Sequence, residues 1–263
     1  MMTHNNIIIF TKVPFAGLVK TRLTRDSKIT DIDASLIAEA MLKDTLLLTC
    51  DTTADLIEIG YTPENLCSKL RNIIDTTFKT ENLNKSISFI LQHGLNFDEK
   101  FASVVEQSFN NGAENLIILG ADLPYLSPQI INSAFDLLNE REESDLIVVG
   151  PSNGGGIYLV GISNSFNPKW FTKYQLFTGG IEIFQFTSFC CKNNFKLKLL
   201  PPYGDIDVEE DLVSLMSYII ALESSTESKG FIYPKYTAKI LKDLGLYIKE
   251  IEGETRNRRI AKK

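Results

Sequence analysis

The side chains best suited to chemistry in this sequence are charged and fall in three groups. The first lies in residues 7–23, IIIFTKVPFAGLVKTRL, where Lys12, Lys20 and Arg22 follow a short apolar run and surround a loop with Pro14 and Gly17. A guanidinium offers a planar fork to phosphate oxygens, and an ammonium offers a mobile point charge. Glycine lets the backbone come close to an anion. Lys12, Gly17, Lys20 and Arg22 are therefore candidates for a phosphate cradle. The alternative is a solvated basic loop. Neither the Gly-x-x-x-x-Gly-Lys-Ser/Thr spacing nor Gly-x-Gly-x-x-Gly is present.

The second group is Gly120-Ala121-Asp122-Leu123-Pro124, and the third is Asp205-Ile206-Asp207. Asp122 is a candidate ligand for a divalent ion, with Gly120 beside it and Pro124 stiffening the turn. Alternation in an extended segment puts Asp205 and Asp207 on one side. Each has a structural alternative. Asp122 could cap a turn, Asp205 could be solvated, and Asp207 is placed as a helix N-cap with Glu210 as its capping-box partner. The three groups together suit a polyphosphate. A metal on Asp122 and Asp207 would bridge phosphate oxygens, while Lys20 and Arg22 offset charge on a leaving pyrophosphate. Such transfer is mainly positioning and electrostatics, and it needs no protein nucleophile. A fourth candidate is the glycine run from Asn153 to Gly156, which would let the chain pass close to a ligand. Its alternative is a tight turn.

These groups must be carried by a scaffold. Residues 7–10, 54–61, 87–91, 116–119, 145–149, 157–161 and 195–200 read as strands. The run from Leu116 to Leu119 is the strongest, as expected of a central parallel strand covered on both faces. Helices are predicted over 31–50, from Pro63 to about Asp75, over 97–110, from Ser127-Pro128, from Gly179-Gly180 to about Lys192, and over 208–222. Residues 76–85 read as loop. The alternation implies a three-layer α/β fold with a mostly parallel, doubly wound sheet. In such sheets ligands bind beyond the carboxyl ends of the strands, where the charged groups fall. Residues 1–222 read as one catalytic domain. Residues 223–263 read as a linker, one amphipathic helix over about 236–246, and a solvated basic tail with Arg256, Arg258, Arg259, Lys262 and Lys263.

Composition sets limits. The chain has 263 residues, 44% hydrophobic and 23% charged, with a formal net charge of -6. That balance argues against a general nucleic-acid binder. No apolar run approaches the roughly 20 residues of a membrane span, and no secretory signal is evident, so the expected location is the cytoplasm. Cys50, Cys67, Cys190 and Cys191 form no Cys-x-x-Cys pair, and the histidines are His4 and His93 alone. A bound metal should therefore have oxygen ligands, which points to Mg²⁺ or Mn²⁺.

The segments KTRL, GADLPYL, GPSNGGGIYLVGI and PPYGDIDVEEDL, in that order, resemble the nucleotide-diphospho-sugar transferase superfamily, with its Rossmann-like glycosyltransferase-A (GT-A) fold. Within it the chain is most similar to the DUF2064 family, and it also resembles 2-phospho-L-lactate and molybdenum cofactor guanylyltransferases. The likeness covers about residues 5–222. It implies that Lys20 and Arg22 contact nucleotide phosphates, that Asp122 holds the metal with Asp207, and that Gly155 and Gly156 sit at the acceptor site. Asn153 and Thr178 join the acceptor candidates. Two departures leave the acceptor open: Asn153-Gly154 stands where the family usually has an acidic pair, and Phe177-Thr178-Gly179 where it tends to have Trp-Ser-Thr. The Asp-x-Asp of glycosyltransferases is also missing around Asp122. The expected function is thus metal-dependent nucleotidyl transfer from an NTP, GTP among them, to a small phosphorylated or sugar-like acceptor. The rivals are a nucleotide-sugar glycosyltransferase and a non-catalytic nucleotide-binding protein. The assembly is open, a homodimer included.

Overall fold

A computed structural model describes residues 4–25, 27–140, 145–251 and 258–263. Seven strands form one sheet in the order β3-β2-β1-β4-β6-β5-β7. They are β1 (Asn5–Lys12), β2 (Leu56–Thr62), β3 (Ser86–Leu91), β4 (Asn115–Gly120), β5 (Leu146–Pro151), β6 (Ile157–Ser163) and β7 (Lys196–Leu199). β1 pairs in parallel with β2 and β4, β2 with β3, and β5 with β7. β6 alone runs antiparallel, wedged between β4 and β5. The expected mostly parallel, three-layer fold is present.

The sheet is covered on both sides because its strands bury both faces. Ile7 and Ile9 of β1 pack into one core while Ile8 enters the other. Ile117 and Leu119 of β4 likewise join the first, and Leu116 and Ile118 the second. This two-residue alternation, apolar on both sides, is what an interior strand requires. The first layer is built from α1 (Asp31–Cys50), α2 (Cys67–Glu81), α4 (Pro128–Asn139) and α7 (Glu209–Ser224). The second comes from α3 (Phe97–Asn110), α5 (Lys169–Tyr174) and α6 (Glu182–Asn193).

The structure corrects the expected boundaries in several places. Residues 76–81 are helical, because α2 continues to Glu81 with Thr77 buried and its hydroxyl bonded to the Ile73 carbonyl at 2.7 Å. The short helix α5 has no counterpart in the sequence reading. α7 is capped through Asp211, whose carboxylate accepts from the Asp207 and Val208 N–H groups at 3.0 and 2.9 Å, so Glu210 is not the partner and Asp207 is not the N-cap. The basic tail is not a solvated one. After α8 (Lys235–Asp243) the chain forms an antiparallel pair, β8 (Leu246–Glu250) and β9 (Arg258–Lys262). Ile260 is buried and Lys262 pairs with Asp33 at 2.8 Å; Arg256 lies outside the described residues.

Candidate functional site

The carboxyl ends of β1 and β4, which are adjacent in the sheet, open into a cleft of about 620 Å³. Lys12 closes β1. The chain then turns through a loop in which Gly17 has φ +77° and Lys20 φ +51°. Left-handed backbone at a lysine is uncommon. The turn is closed by Leu23 N–H on the Lys20 carbonyl at 2.9 Å, with the Leu23 side chain buried. Thr30 then ends the loop as the cap of α1. Its hydroxyl accepts from Asp33 N–H at 3.2 Å, and Asp33 accepts from Thr30 N–H at 3.0 Å.

On the other side, Asp122 follows β4 and Asp207 precedes α7. Backbone ties these segments together, as Ile206 N–H donates to the Asp122 carbonyl at 3.0 Å. Tyr125 hydroxyl donates to the Gly204 carbonyl at 2.6 Å just upstream. The cations of the first loop meet the carboxylates of these two. Lys20 Nζ pairs with Asp122 Oδ1 and also donates to the Ile206 carbonyl. Arg22 Nη1 pairs with Asp207 Oδ2. Residues about a hundred and nearly two hundred positions from the basic loop are thus gathered by the fold at one edge. Burial pushes the Asp205 carboxyl above its usual range, and the nearby charge of Asp122 adds to the effect.

Lys12, Lys20, Arg22, Asp122 and Asp207 all line the cleft. Gly17 lies in the loop and Gly120 ends β4, and neither is among the lining residues. The acceptor candidates sit elsewhere. Asn153 begins the short turn between β5 and β6 and covers Gly204: a methyl group added there would come 2.8 Å from Asn153 Nδ2. Gly155 has φ +83°, and a Cβ there would fall 2.3 Å from Ile181 Cγ2, so no side chain fits. Gly156 closes the same turn, its carbonyl accepting from Ser152 N–H at 2.8 Å. Thr178 is held by buried Asp98, which accepts from the Thr178 hydroxyl and, at 3.1 Å, from its N–H. None of these four lines the cleft.

The structure adds lining residues that the sequence reading missed: Gln92, Asn96, Phe97 and Lys100. Gln92 Nε2 donates to the carbonyls of Thr11 and Gly60 at 3.0 and 2.8 Å, which fixes its amide orientation. Asn96 caps α3, accepting from Glu99 N–H at 2.9 Å. Phe97 packs on Phe10 with ring centroids 5.3 Å apart. The signal for them was available, because Gln92 directly follows β3 and the rule of strand carboxyl ends applies there too. With Lys100 the cleft holds four cations against the two carboxylates Asp122 and Asp207. That local excess stands out on a chain of net charge -6.

Among the described residues, no group of three or more His, Cys, Asp or Glu side chains could by itself hold a metal. The donor set nevertheless suits a hard ion. Mg²⁺ is commonly held by one or two carboxylates, with substrate phosphates and waters completing its shell. Asp122 and Asp207 are partly exposed oxygen donors on one cleft, with side chains 52% and 41% accessible. No helix among the described residues is long and apolar enough to cross a membrane.

Comparison with known proteins agrees with this architecture. No curated protein matches the chain. Among solved structures, it is similar to a protein from Desulfovibrio desulfuricans G20 provisionally named a nucleotide-diphospho-sugar transferase. The TM-score is 0.71 at 22% identity, over 92% of this chain and 95% of that one. The 4-diphosphocytidyl-2C-methyl-D-erythritol synthase of Anaerococcus prevotii DSM 20548 gives 0.57 at 12% identity, over 83% and 96%. A cytidylyltransferase from Leptospira borgpetersenii serovar Hardjo-bovis gives 0.51 at 13%, over 92% and 95%. The first and third are named as transferases and the second as a synthase, and at such identities the likeness is one of fold. The profile of the DUF2064 family, described as "Uncharacterized protein conserved in bacteria", matches residues 63–177. Over that span the chain is a match to DUF2064, and its fold is that of the nucleotide-diphospho-sugar transferases.

Proposed function

We propose that this protein is a metal-dependent nucleotidyltransferase that joins an NTP to a small phosphorylated or sugar-like acceptor and releases pyrophosphate. One observation carries the reading: Lys20 and Arg22 meet Asp122 and Asp207 in a single cleft that Lys12 and Lys100 also line. A polyphosphate is the ligand that such a mixture suits. Lys12, Lys20, Arg22 and Lys100 would take its oxygens, and Asp122 and Asp207 would hold Mg²⁺ or Mn²⁺. When bound, the ion would neutralise charge on the phosphates.

In the transfer, an ionised phosphate oxygen of the acceptor, or a hydroxyl oxygen that releases its proton to solvent, forms a bond to the α-phosphorus while the bond from that phosphorus to the bridging oxygen breaks. Pyrophosphate leaves with the electron pair. Lys20 and Arg22 are placed to meet that charge, and preorganised cations lower such a barrier without taking part in bonding. The Asn153–Gly156 turn, at the same sheet edge, is the proposed acceptor side. The neutral residues Ala121 and Leu123 flank Asp122, which supports nucleotidyl over glycosyl transfer.

The test is incubation of purified protein with each NTP, Mg²⁺ and a panel of phospho-acids and sugar phosphates. Pyrophosphate should appear with one combination. Release of a nucleoside diphosphate from nucleotide sugars would instead assign sugar transfer. Nucleotide-induced stabilisation that is independent of metal, with no turnover, would assign a binding protein.

A further inference from the structure

The C-terminal segment touches the ends of the three segments that carry Lys20 and Arg22, Asp122, and Asp207. Lys262 Nζ of β9 lies 2.9 and 2.8 Å from the two oxygens of Asp33, in the first turn of α1. That turn is where the Lys20–Arg22 loop ends. Two residues earlier in β9, Ile260 N–H donates to Glu209 Oε1 at 2.6 Å, at the first residue of α7. That is where the segment carrying Asp207 ends. One five-residue strand therefore grips the starts of both helices. The preceding chain reaches the third loop: Ile232 N–H donates to the Tyr125 carbonyl at 2.9 Å and Ser127 N–H to the Gly230 carbonyl at 3.2 Å, three to five residues after Asp122.

The grip is built as an anchor. Asp33 is buried, and its Oδ2 also accepts from the Thr30 N–H and hydroxyl at 3.0 and 2.9 Å. Ile260 is buried. α8 fixes the segment from outside, with Asp44 of α1 accepting from the N–H groups of Tyr236 and Thr237 at 3.0 and 2.7 Å. The DUF2064 match ends at residue 177, well short of all this.

We propose that β9 is a positioning element of the site: Lys262 and the Ile260 N–H hold the starts of α1 and α7 in the relation that brings Lys20 onto Asp122 and Arg22 onto Asp207. The proposal takes from the preceding section only the identity of the cleft. Lys262 does not itself line the cleft. It acts through Asp33 on the loop exit, and a displacement there is passed toward Lys20 and Arg22 through Ser27, whose hydroxyl accepts from Ile29 N–H at 3.1 Å and donates to the Leu23 carbonyl.

Hydrogen exchange on the full-length chain tests this without any ligand. In Lys262→Met, amides in residues 13–25 and 203–208 should exchange about tenfold faster or more, while those of β1 and β4 keep their protection. Lys262→Arg, which keeps the ion pair, should restore the wild-type pattern, and Glu209→Met, which removes the acceptor for Ile260 N–H, should loosen residues 203–208 more than 13–25. Binding of inorganic tripolyphosphate, followed by calorimetry, should weaken in Lys262→Met and recover in Lys262→Arg. A fall in melting temperature with exchange raised only within residues 246–263, or uniformly across the chain, would overturn the proposal. Failure of wild-type protein to bind tripolyphosphate would count against the nucleotide reading alone, because the exchange pattern would still decide the role of β9.

Discussion

The Lys20 side chain is only 7% accessible, yet its ammonium rests on the carboxylate of Asp122, which is 52% accessible. A buried cation paired to a half-exposed anion leaves the carboxylate reachable from the cleft while its charge is already answered. Arg22 and Asp207 repeat the pairing nearer the solvent, at 61% and 41%. Without ligand, two of the proposed phosphate contacts, Lys20 and Arg22, therefore neutralise the two proposed metal ligands.

From this we expect metal and polyphosphate to bind together better than either alone. Mn²⁺ by itself should bind weakly, because Lys20 competes for Asp122. Lys20→Met should strengthen binding of Mn²⁺ alone and weaken nucleotide binding by roughly 10–100-fold, the scale of one charge-assisted hydrogen bond. Arg22→Ala should change unfolding free energy by less than about 1 kcal/mol, since its pair is exposed. Calorimetry with Mn²⁺, nucleotide and both decides the matter. Unchanged nucleotide affinity in Lys20→Met would remove that residue from the site.

Asp98 makes a different kind of contact. It is buried at the start of α3 and accepts from the N–H groups of Phe177 and Thr178 at 2.9 and 3.1 Å, besides the Thr178 hydroxyl. Asp98→Ala strands these donors and should cost about 1–3 kcal/mol. Thr178→Val should cost less, and the double variant should show a coupling above about 0.5 kcal/mol. Urea unfolding measures all three. Additive losses would mean that the two residues do not act as one latch.

Asp44 sets a pH dependence. Burial lifts its carboxyl from 3.8 to about 6, against the opposing hydrogen bonds from Thr237 and Tyr236 and the charge of Lys235. The folded state therefore holds a proton that the unfolded chain has released. Its contribution to stability is present below the ordinary carboxylate range and is lost as pH rises from about 4 through about 6, on the order of 3 kcal/mol. Asp33 acts oppositely: burial works to raise its pKa, but Lys262 and Thr30 hold it below the ordinary value. Its contribution is lost only as pH falls through that depressed range. Melting curves between pH 4 and 7 should show wild type losing stability relative to Asp44→Asn as pH rises. A constant difference would exclude this titration.

Much of the framework was legible because apolar runs and caps are local signals. The strand at Leu116–Leu119 and the helix opening at Ser127-Pro128 were read from a few adjacent residues and stand as expected. The convergence of Lys20, Arg22, Asp122 and Asp207 on one edge followed from the strand-end rule. What escaped depends on distant chain. The reversal of β6 leaves no mark in its own residues, since a strand buried on both faces looks alike in either direction. α1 shows little polar face because α8 covers its outer side, and Thr45 and Thr49 hide there with their hydroxyls bonded to the carbonyls of Met41 and Thr45, both at 2.9 Å. Lys262 read as solvated because its partner, Asp33, lies more than two hundred positions away.

The reversal of β6 has an architectural outcome. Because β5 returns to β6 through a five-residue turn rather than a crossover helix, residues 152–156 join two neighbouring strands directly, with Gly155 seated against Ile181 at the start of α6. Chain could be added at Gly154, which faces open space, without disturbing the parallel half that carries Lys12 and Asp122. The same scaffold could thus be refitted for different small molecules by editing one hairpin, while its charged half stays as it is.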